Sequence, residues 1–285
     1  MKISPDQDLQ IRQVIRHCGL QAAQMAAEPF EIFEKGLEDY VTSVDSALDI
    51  QLSAAFSDLF PKDGVISEEN TQSRQRFCEN YARLWCIDPL DGTEDFIHGK
   101  HGYAVMAGLL EDYQPVAGWI YAPTQDRMFY GGQDWGLFEA IANYRSVPLA
   151  VVKPDPPTSS FCPIVIGYRD QKRFGRAIAQ QILEAQFYSV GSFGLKVMEV
   201  ISGRAGLYLY LNQRVKLWDT TGPLALANAA GLVCCSLEGH PIKFSPDRID
   251  PDTLVHQDSI LVGWPDYIDR LRPKLEAAVQ SVLQN

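Results

Sequence analysis

Ile87-Asp88-Pro89-Leu90-Asp91-Gly92-Thr93 closes an apolar run, residues 81–87, of the kind that makes a short buried strand. Pro89 and Gly92 predict that the strand stops there in a tight bend, with Thr93 as the N-cap of a helical turn over residues 94–97. Two carboxylates, Asp88 and Asp91, then meet at a strand end beside a helix start. Converging carboxylates repel unless a cation lies between them, and oxygen ligands suit a hard ion such as Mg²⁺. The free N–H groups of a helix start suit an anion. Metal plus phosphate is one reading of the stretch. An ordinary solvated turn is the other, since Asp, Pro and Gly are common turn residues. Two other sites are excluded by spacing. An EF-hand loop sets acids at positions 1, 3 and 5 with Gly at 6, whereas here they fall at 1 and 4 with Gly at 5. The Gly-Lys-Ser/Thr ending of a phosphate-binding loop is absent.

Upstream, residues 7–27 carry apolar side chains at helical spacing (Leu9, Ile11, Val14, Ile15, Cys18, Ala22, Met25) and end before Pro29. Residues 30–40 read as a linker or hairpin. Residues 46–60 read as a second helix with Leu48, Ile50, Leu52 and Phe56 on its apolar face. A short strand at Val65-Ile66 and a loop over 71–80 lead into the central strand. Beyond the bend, residues 103–110 and 116–121 predict a β-hairpin, and 127–131 and 136–141 two more strands. Lys153-Pro154-Asp155-Pro156-Pro157 marks a linker, so two lobes are expected: residues 1–152, α+β with the acidic motifs, and 153–285, α/β. The second lobe alternates strands (163–168, 187–190, 206–211, 232–235, 259–262) with helices (174–185, 195–202, 219–230, 265–283).

Composition narrows the function. A net charge of −11 over 285 residues repels nucleic-acid backbones and anionic membranes. An anionic substrate therefore needs metal or local Lys and Arg. The N-terminus has no apolar run behind a basic start, no stretch approaches a membrane span, and the six cysteines show no Cys-x-x-Cys spacing. A cytoplasmic protein with free thiols is expected.

Four acidic positions fall at strand ends or helix starts: Asp45, Glu68-Glu69, Asp88/Asp91 and Asp219. Each alone also reads as a helix cap or a solvated turn. Together they resemble the inositol monophosphatase superfamily of Mg²⁺-dependent, Li⁺-sensitive phosphatases. Asp88 to Thr93 matches its Asp-Pro-x-Asp-Gly-Thr motif, Trp218-Asp219 its Trp-Asp motif, Glu68-Glu69 its Glu-Glu motif, and Thr42-x-x-Asp45 its upstream element. Order and spacing agree from about residue 10 to about residue 265.

The resemblance implies a two-lobed, layered αβαβα sugar-phosphatase fold and two or three Mg²⁺ ions per site. It implies that Glu68, Asp88 and the Leu90 carbonyl hold one metal, and that Asp88, Asp91 and Asp219 hold a second. Glu69 supports a weaker third position or its water. Thr93 with Asp45 orients the attacking water, and the Gly92 and Thr93 N–H groups hold the phosphate. The expected substrate is a small phosphorylated metabolite, and the family often forms homodimers.

Three segments are similar to the 3'(2'),5'-bisphosphate nucleotidase branch: Ser67-Glu68-Glu69, Gly191-Ser192-Phe193-Gly194-Leu195-Lys196, and Lys216-Leu217-Trp218-Asp219-Thr220. By that likeness Ser192 and Lys196 contact substrate, with Lys196 meeting a second phosphate. The other reading of Lys196 is a solvated helix lysine. Asn228 departs from the family's usual Glu. The alternatives are an inositol-1-monophosphatase, a sugar bisphosphatase, for which no second basic cluster stands out, and a metal-binding regulator without catalysis. Phe161, Tyr168, Phe193, Tyr208 and Tyr210 read either as core or as an adenine platform. His98 and His101 follow the bend closely enough to border an entrance.

Overall fold

A computed structural model describes residues 3–36, 39–79, 81–142, 146–157 and 161–284. Residues 37–38, within the expected hairpin, and residue 80, at the end of the expected loop, lie outside these.

The first half opens with α1 (Pro5–Met25), capped by a reciprocal Ser4–Gln7 capping box. A small antiparallel pair follows, β1 (Ile32–Gly36) and β2 (Asp39–Thr42), then α2 (Ser43–Leu59). Next come β3 (Gly64–Ser67), a 3₁₀ segment (Thr71–Cys78) where a loop was expected, β4 (Arg83–Asp91) and α3 (Thr93–Ile97). A meander completes the half: β5 (Ala104–Glu111), β6 (Gln114–Ala122), β7 (Arg127–Gly132), β8 (Gly136–Ile141) and β9 (Val147–Pro148). Strands β3 to β9 form one sheet in chain order, parallel only between β3 and β4.

The second half contains β10 (Cys162–Ile166), α4 (Tyr168–Gln181), β11 (Ala185–Tyr188), α5 (Phe193–Ile201), β12 (Leu207–Tyr210), α6 (Leu217–Ala229), β13 (Val233–Cys235), β14 (Ile260–Gly263) and α7 (Pro265–Leu283). Its five strands lie in the order β11-β10-β12-β14-β13. β10 runs parallel to both neighbours, whereas β14 is antiparallel to β12 and β13.

The layers stack α1/α2, seven-stranded sheet, α5/α6, five-stranded sheet, α4/α7. This is the layered αβαβα arrangement expected above. The large sheet is covered on both faces, which is why β4 reads as an unbroken apolar run rather than an alternating one. Its side chains still alternate in direction. Trp85 and Ile87 pack toward α1 and α2, while Leu84 and Cys86 join the core shared with the second half. In α2, Val44, Leu48, Leu52 and Phe56 recur every fourth residue and are fully buried. Ile50, expected on that face, is 70% exposed.

Two local expectations are corrected. β4 does not stop at Pro89; it runs to Asp91, with a register shift against β5 between Asp88 and Asp91. A bulge of this kind bends the strand without ending it. Thr93 is the first residue of α3 rather than its cap; Gly92 stands at the cap with φ +90°. A Cβ at Gly92 would lie 2.7 Å from the Gly102 carbonyl oxygen, so both conformation and space require glycine.

The α6 helix lies directly on the large sheet along three glycines. A Cβ on Gly108 of β5 would be 2.3 Å from the Gly222 nitrogen, and one on Gly118 of β6 2.3 Å from the Gly222 carbonyl oxygen. Backbone therefore meets backbone, and the second half is drawn onto the sheet that carries the acidic bend.

Candidate active site

Three elements deliver one carboxylate each to a common point. Glu68 follows β3, Asp88 lies at the β4 bulge, and Asp219 occupies the first turn of α6. Each offers an oxygen, and the three oxygens lie within 4.8 Å of one another. Asp88 Oδ1 accepts from the Leu90 N–H at 3.0 Å, while its Oδ2 is buried and meets no donor. Burial, and then the charges of Glu68, Asp91 and Asp219, hold the Asp88 carboxyl well above the usual range. Asp219 is pushed up to about 7 by burial and by Glu68 and Asp91, against a 2.6 Å hydrogen bond from the Lys216 N–H.

The donor set fits a divalent cation. It is all oxygen, it converges, and it contains a buried acceptor that no group among the described residues satisfies.

Asp91, also expected as a ligand, turns one oxygen elsewhere. Its Oδ2 accepts from Ser192 Oγ at 2.5 Å and from the Gly194 N–H at 3.0 Å. Burial pushes it up to about 6 although both bonds pull it down. Ser192, expected against substrate, is itself fully buried; it caps α5 by accepting from the Leu195 N–H. The Ser192–Asp91 pair thus fastens α5 to the acidic bend.

Thr93 and Asp45 lie together. Thr93 Oγ1 lies 3.2 Å from Asp45 Oδ1 and 3.0 Å from the Leu90 carbonyl. Its single hydrogen serves one of them at a time, which leaves its lone pairs as acceptors. Asp45 is the third residue of α2, not its cap, and Oδ2 accepts from the Thr42 N–H and hydroxyl. Burial raises its pKa and the Thr42 bonds oppose the shift. Glu69 pairs with Lys35 of β1 at 2.6 Å, and burial followed by repulsion from Glu68 pushes it up to about 7.

The carboxylates line a cleft together with Arg169, Lys196, Arg214 and Lys216, and Lys216 Nζ lies 3.8 Å from Glu68 Oε1. The sequence showed no second basic cluster because these cations come from the start of α4, from α5 and from the loop before α6. No spacing rule links those segments. Lys196 is not a solvated lysine. It is 8% exposed, donates to the Gly191 carbonyl at 2.5 Å, and lies 5.8 Å from the Tyr208 ring centre. Burial lowers its pKa, while Asp91, Asp95, Asp170 and Asp219 hold it up.

Phe193, Tyr208 and Tyr210 line the cleft, and the Tyr208 hydroxyl is buried without a hydrogen-bond partner. Phe161 and Tyr168 are exposed outside it, as are His98 and His101. Asn228 is exposed on α6 and borders a different surface depression beside Gln133 and Asp134. Arg74, which the sequence did not single out, lies over the Trp218 ring at 5.3 Å and spans the Glu68 and Asp219 segments.

A layered α/β sandwich with a convergent carboxylate cluster in a cleft that also carries cations is the arrangement of a metal-dependent phosphoric monoester hydrolase. The chain belongs to the inositol monophosphatase family, whose model matches residues 6–279. It is 28% identical over 240 residues to the 3'(2'),5'-bisphosphate nucleotidase CysQ of Escherichia coli O157:H7, covering 83% of this chain and 93% of that one. It is also 28% identical over 267 residues to a fructose-1,6-bisphosphatase/inositol-1-monophosphatase of Aquifex aeolicus, covering 90% and 96%. In fold it is similar to the IMPase of Thermotoga maritima, with a TM-score of 0.79 at 20% identity, over 98% of this chain and all of the other. No helix among the described residues is long and apolar enough to cross a membrane.

Proposed function

We propose that this protein is a Mg²⁺-dependent 3'(2'),5'-bisphosphate nucleotidase that removes the 3'-phosphate of 3'-phosphoadenosine 5'-phosphate to leave AMP. The observation that carries the reading is the lining of the cleft. A carboxylate cluster for cations shares it with a buried lysine in an otherwise acidic protein. The likeness to relatives named as bisphosphate nucleotidases supports the choice of substrate.

Glu68, Asp88, Asp219, Asp91 and the Leu90 carbonyl are assigned to the metals, with Glu69 at a weaker outer position. Cations held there neutralise the phosphoryl oxygens and acidify a water. The protein's own groups do the positioning. Thr93 Oγ1, donating to Asp45 or to Leu90, accepts a hydrogen bond from the attacking water and aims it. The Gly92 and Thr93 N–H groups hold the phosphate. Lys196 offsets the charge of a bisphosphate from the cleft wall. Phosphoryl transfer asks mainly for this positioning and charge stabilisation.

Phosphate release from a panel of phosphomonoesters tests the reading. 3'-Phosphoadenosine 5'-phosphate is expected to be cleaved with Mg²⁺ faster than inositol 1-phosphate. Ca²⁺ is expected to inhibit, because it prefers more ligands at longer distances. Preference for inositol 1-phosphate would assign the chain to the monophosphatases. Mg²⁺ binding without any hydrolysis would make it a regulator.

A further inference from the structure

We propose that α4 is an electrostatic approach lane for anionic substrates. Arg169, Lys172, Arg173 and Arg176 form a positive stripe along it, and the stripe ends in the cleft. This role depends on the phosphoric monoester hydrolase activity assigned above and on no particular ester.

The stripe is a product of helical spacing. α4 carries four cations and one acid in 14 residues, in a protein whose net charge is −11. The cations recur at i, i+3, i+4 and i+7, which places them within about 100° of one another around the axis. Phe174 and Ile178 are buried on the other side. The one acid, Asp170, is turned inward as well: it is buried and accepts from the Leu211 N–H at 2.8 Å. Lys172, Arg173 and Arg176 are exposed. Among the described residues Lys172 and Arg176 form no ion pair, and the Arg173 guanidinium lies 4.9 Å from the centre of the Phe174 ring.

The direction of the helix points the stripe at the site. α4 begins after β10 and leads back to β11, which runs parallel to β10. Arg169, in the first turn, is the one residue of α4 that lines the cleft. Lys172 and Arg173 stand one turn beyond it and Arg176 two turns, about 5 and 10 Å along the axis. Every Cα–Cβ bond of a helix tilts toward its N-terminus, so the bonds that carry these cations lean toward the cleft end.

A phosphate monoester carries a charge of about −1.5 to −2. An acidic protein repels such a molecule from most directions. Within roughly a Debye length, about 10 Å at 0.1 M salt, a positive stripe reverses that repulsion along one path. A single helix stripe is too small for a stable protein interface, which buries about 800 Å² on each side. It suits a small anion in transit.

The test is kcat/KM with Mg²⁺ present, at ionic strengths of about 0.03 M and about 0.5 M, which span long and short screening lengths. Both 3'-phosphoadenosine 5'-phosphate and inositol 1-phosphate are used. The variant Lys172→Gln/Arg173→Gln/Arg176→Gln is compared with Lys62→Gln/Lys243→Gln/Lys274→Gln. Each set removes three positive charges, and all six positions are exposed and outside the cleft lining. The α4 set is expected to lower kcat/KM by about 3- to 10-fold at low ionic strength, with kcat kept and with the loss gone at high ionic strength. The other set is expected to change it by less than about twofold, since its charges lie off the path. Equal losses from both sets reduce the stripe to net charge and overturn the lane. No loss at low ionic strength, or a loss of the same size at both, also overturns it and leaves the nucleotidase reading standing. A preference for inositol 1-phosphate with the α4 effect intact keeps the lane and overturns the nucleotidase reading. A protein that cleaves neither ester has no approach to guide, and the lane falls with the activity it serves.

Discussion

Asp88 carries the sharpest electrostatic conflict in the molecule. It is buried, one oxygen meets no donor, and three further carboxyl groups crowd it. Neutralising such a residue removes repulsion as well as a ligand. Asp88→Asn is expected to raise the stability of the metal-free protein by about 1–4 kcal/mol and to abolish phosphate release and the thermal shift given by Mg²⁺. Melting curves with and without Mg²⁺ check this, and a variant that still shifts removes Asp88 from the metal site. His256 gives a cleaner pH dependence. It is 1% exposed, lies 2.8 Å from Thr220 Oγ1, and burial lowers its pKa to about 3. The unfolded chain takes up the proton near pH 6.5 and the folded chain only near 3. The folded state then binds fewer protons in that window, so stability is fully present above pH 6.5 and falls as pH drops toward 3. Between pH 6.5 and 5 the loss is about 2 kcal/mol. Urea unfolding at pH 8 and pH 5 is expected to show a smaller drop for His256→Gln than for the unmodified protein.

At the scale of elements, the seam between α6 and the large sheet sets where Asp219 sits. Gly118→Ala would place a methyl group against the Gly222 carbonyl. Backbone cannot rotate aside as a side chain can, so α6 must move at a cost of about 1–3 kcal/mol. The expected signature is an activation constant for Mg²⁺ raised at least tenfold, with a smaller change in KM for the phosphate ester. An unchanged Mg²⁺ requirement would uncouple the seam from the site. Most elements were legible because their patterns are local. The apolar runs of β4, β5 and β6 and the span of α7 follow from neighbouring residues alone. The acidic positions were legible because their motifs are short. What escaped depended on contacts across the chain. Ile50 is apolar at a helical spacing yet faces outward, and the α4 start was placed several residues late because Tyr168-Arg169-Asp170 looks like a polar loop. Arg169 and Arg214 lie 45 positions apart in the sequence, and the parallel pairing of β10 with β12 together with the Asp170 tie brings them to one cleft.

For the whole molecule, the central fact is a core shared by both halves. Leu84, Cys86 and Met106 belong to the same apolar cluster as Val165, Leu207 and Trp218. A division at residues 152/153 is therefore expected to be one of sequence and not of stability. Thermal unfolding should show one transition, raised by about 2.7 kcal/mol at a Mg²⁺ concentration 100 times its Kd. A fragment covering residues 1–152 lacks Asp219 and is expected to show no Mg²⁺ shift; two separate transitions in the full chain would reverse this view. The glycine seam has a further consequence, for how such a protein changes over generations. Any side chain added along Gly108, Gly118 or Gly222 pushes helix from sheet and parts Asp219 from Asp88. The cutting machinery is thereby frozen by packing. The same cleft is also bordered by Arg169 at a helix start and by Arg214 in an exposed loop, where an added side chain meets less packed protein. Novelty can accumulate there, so one scaffold can exchange what it grips while it keeps where it cuts.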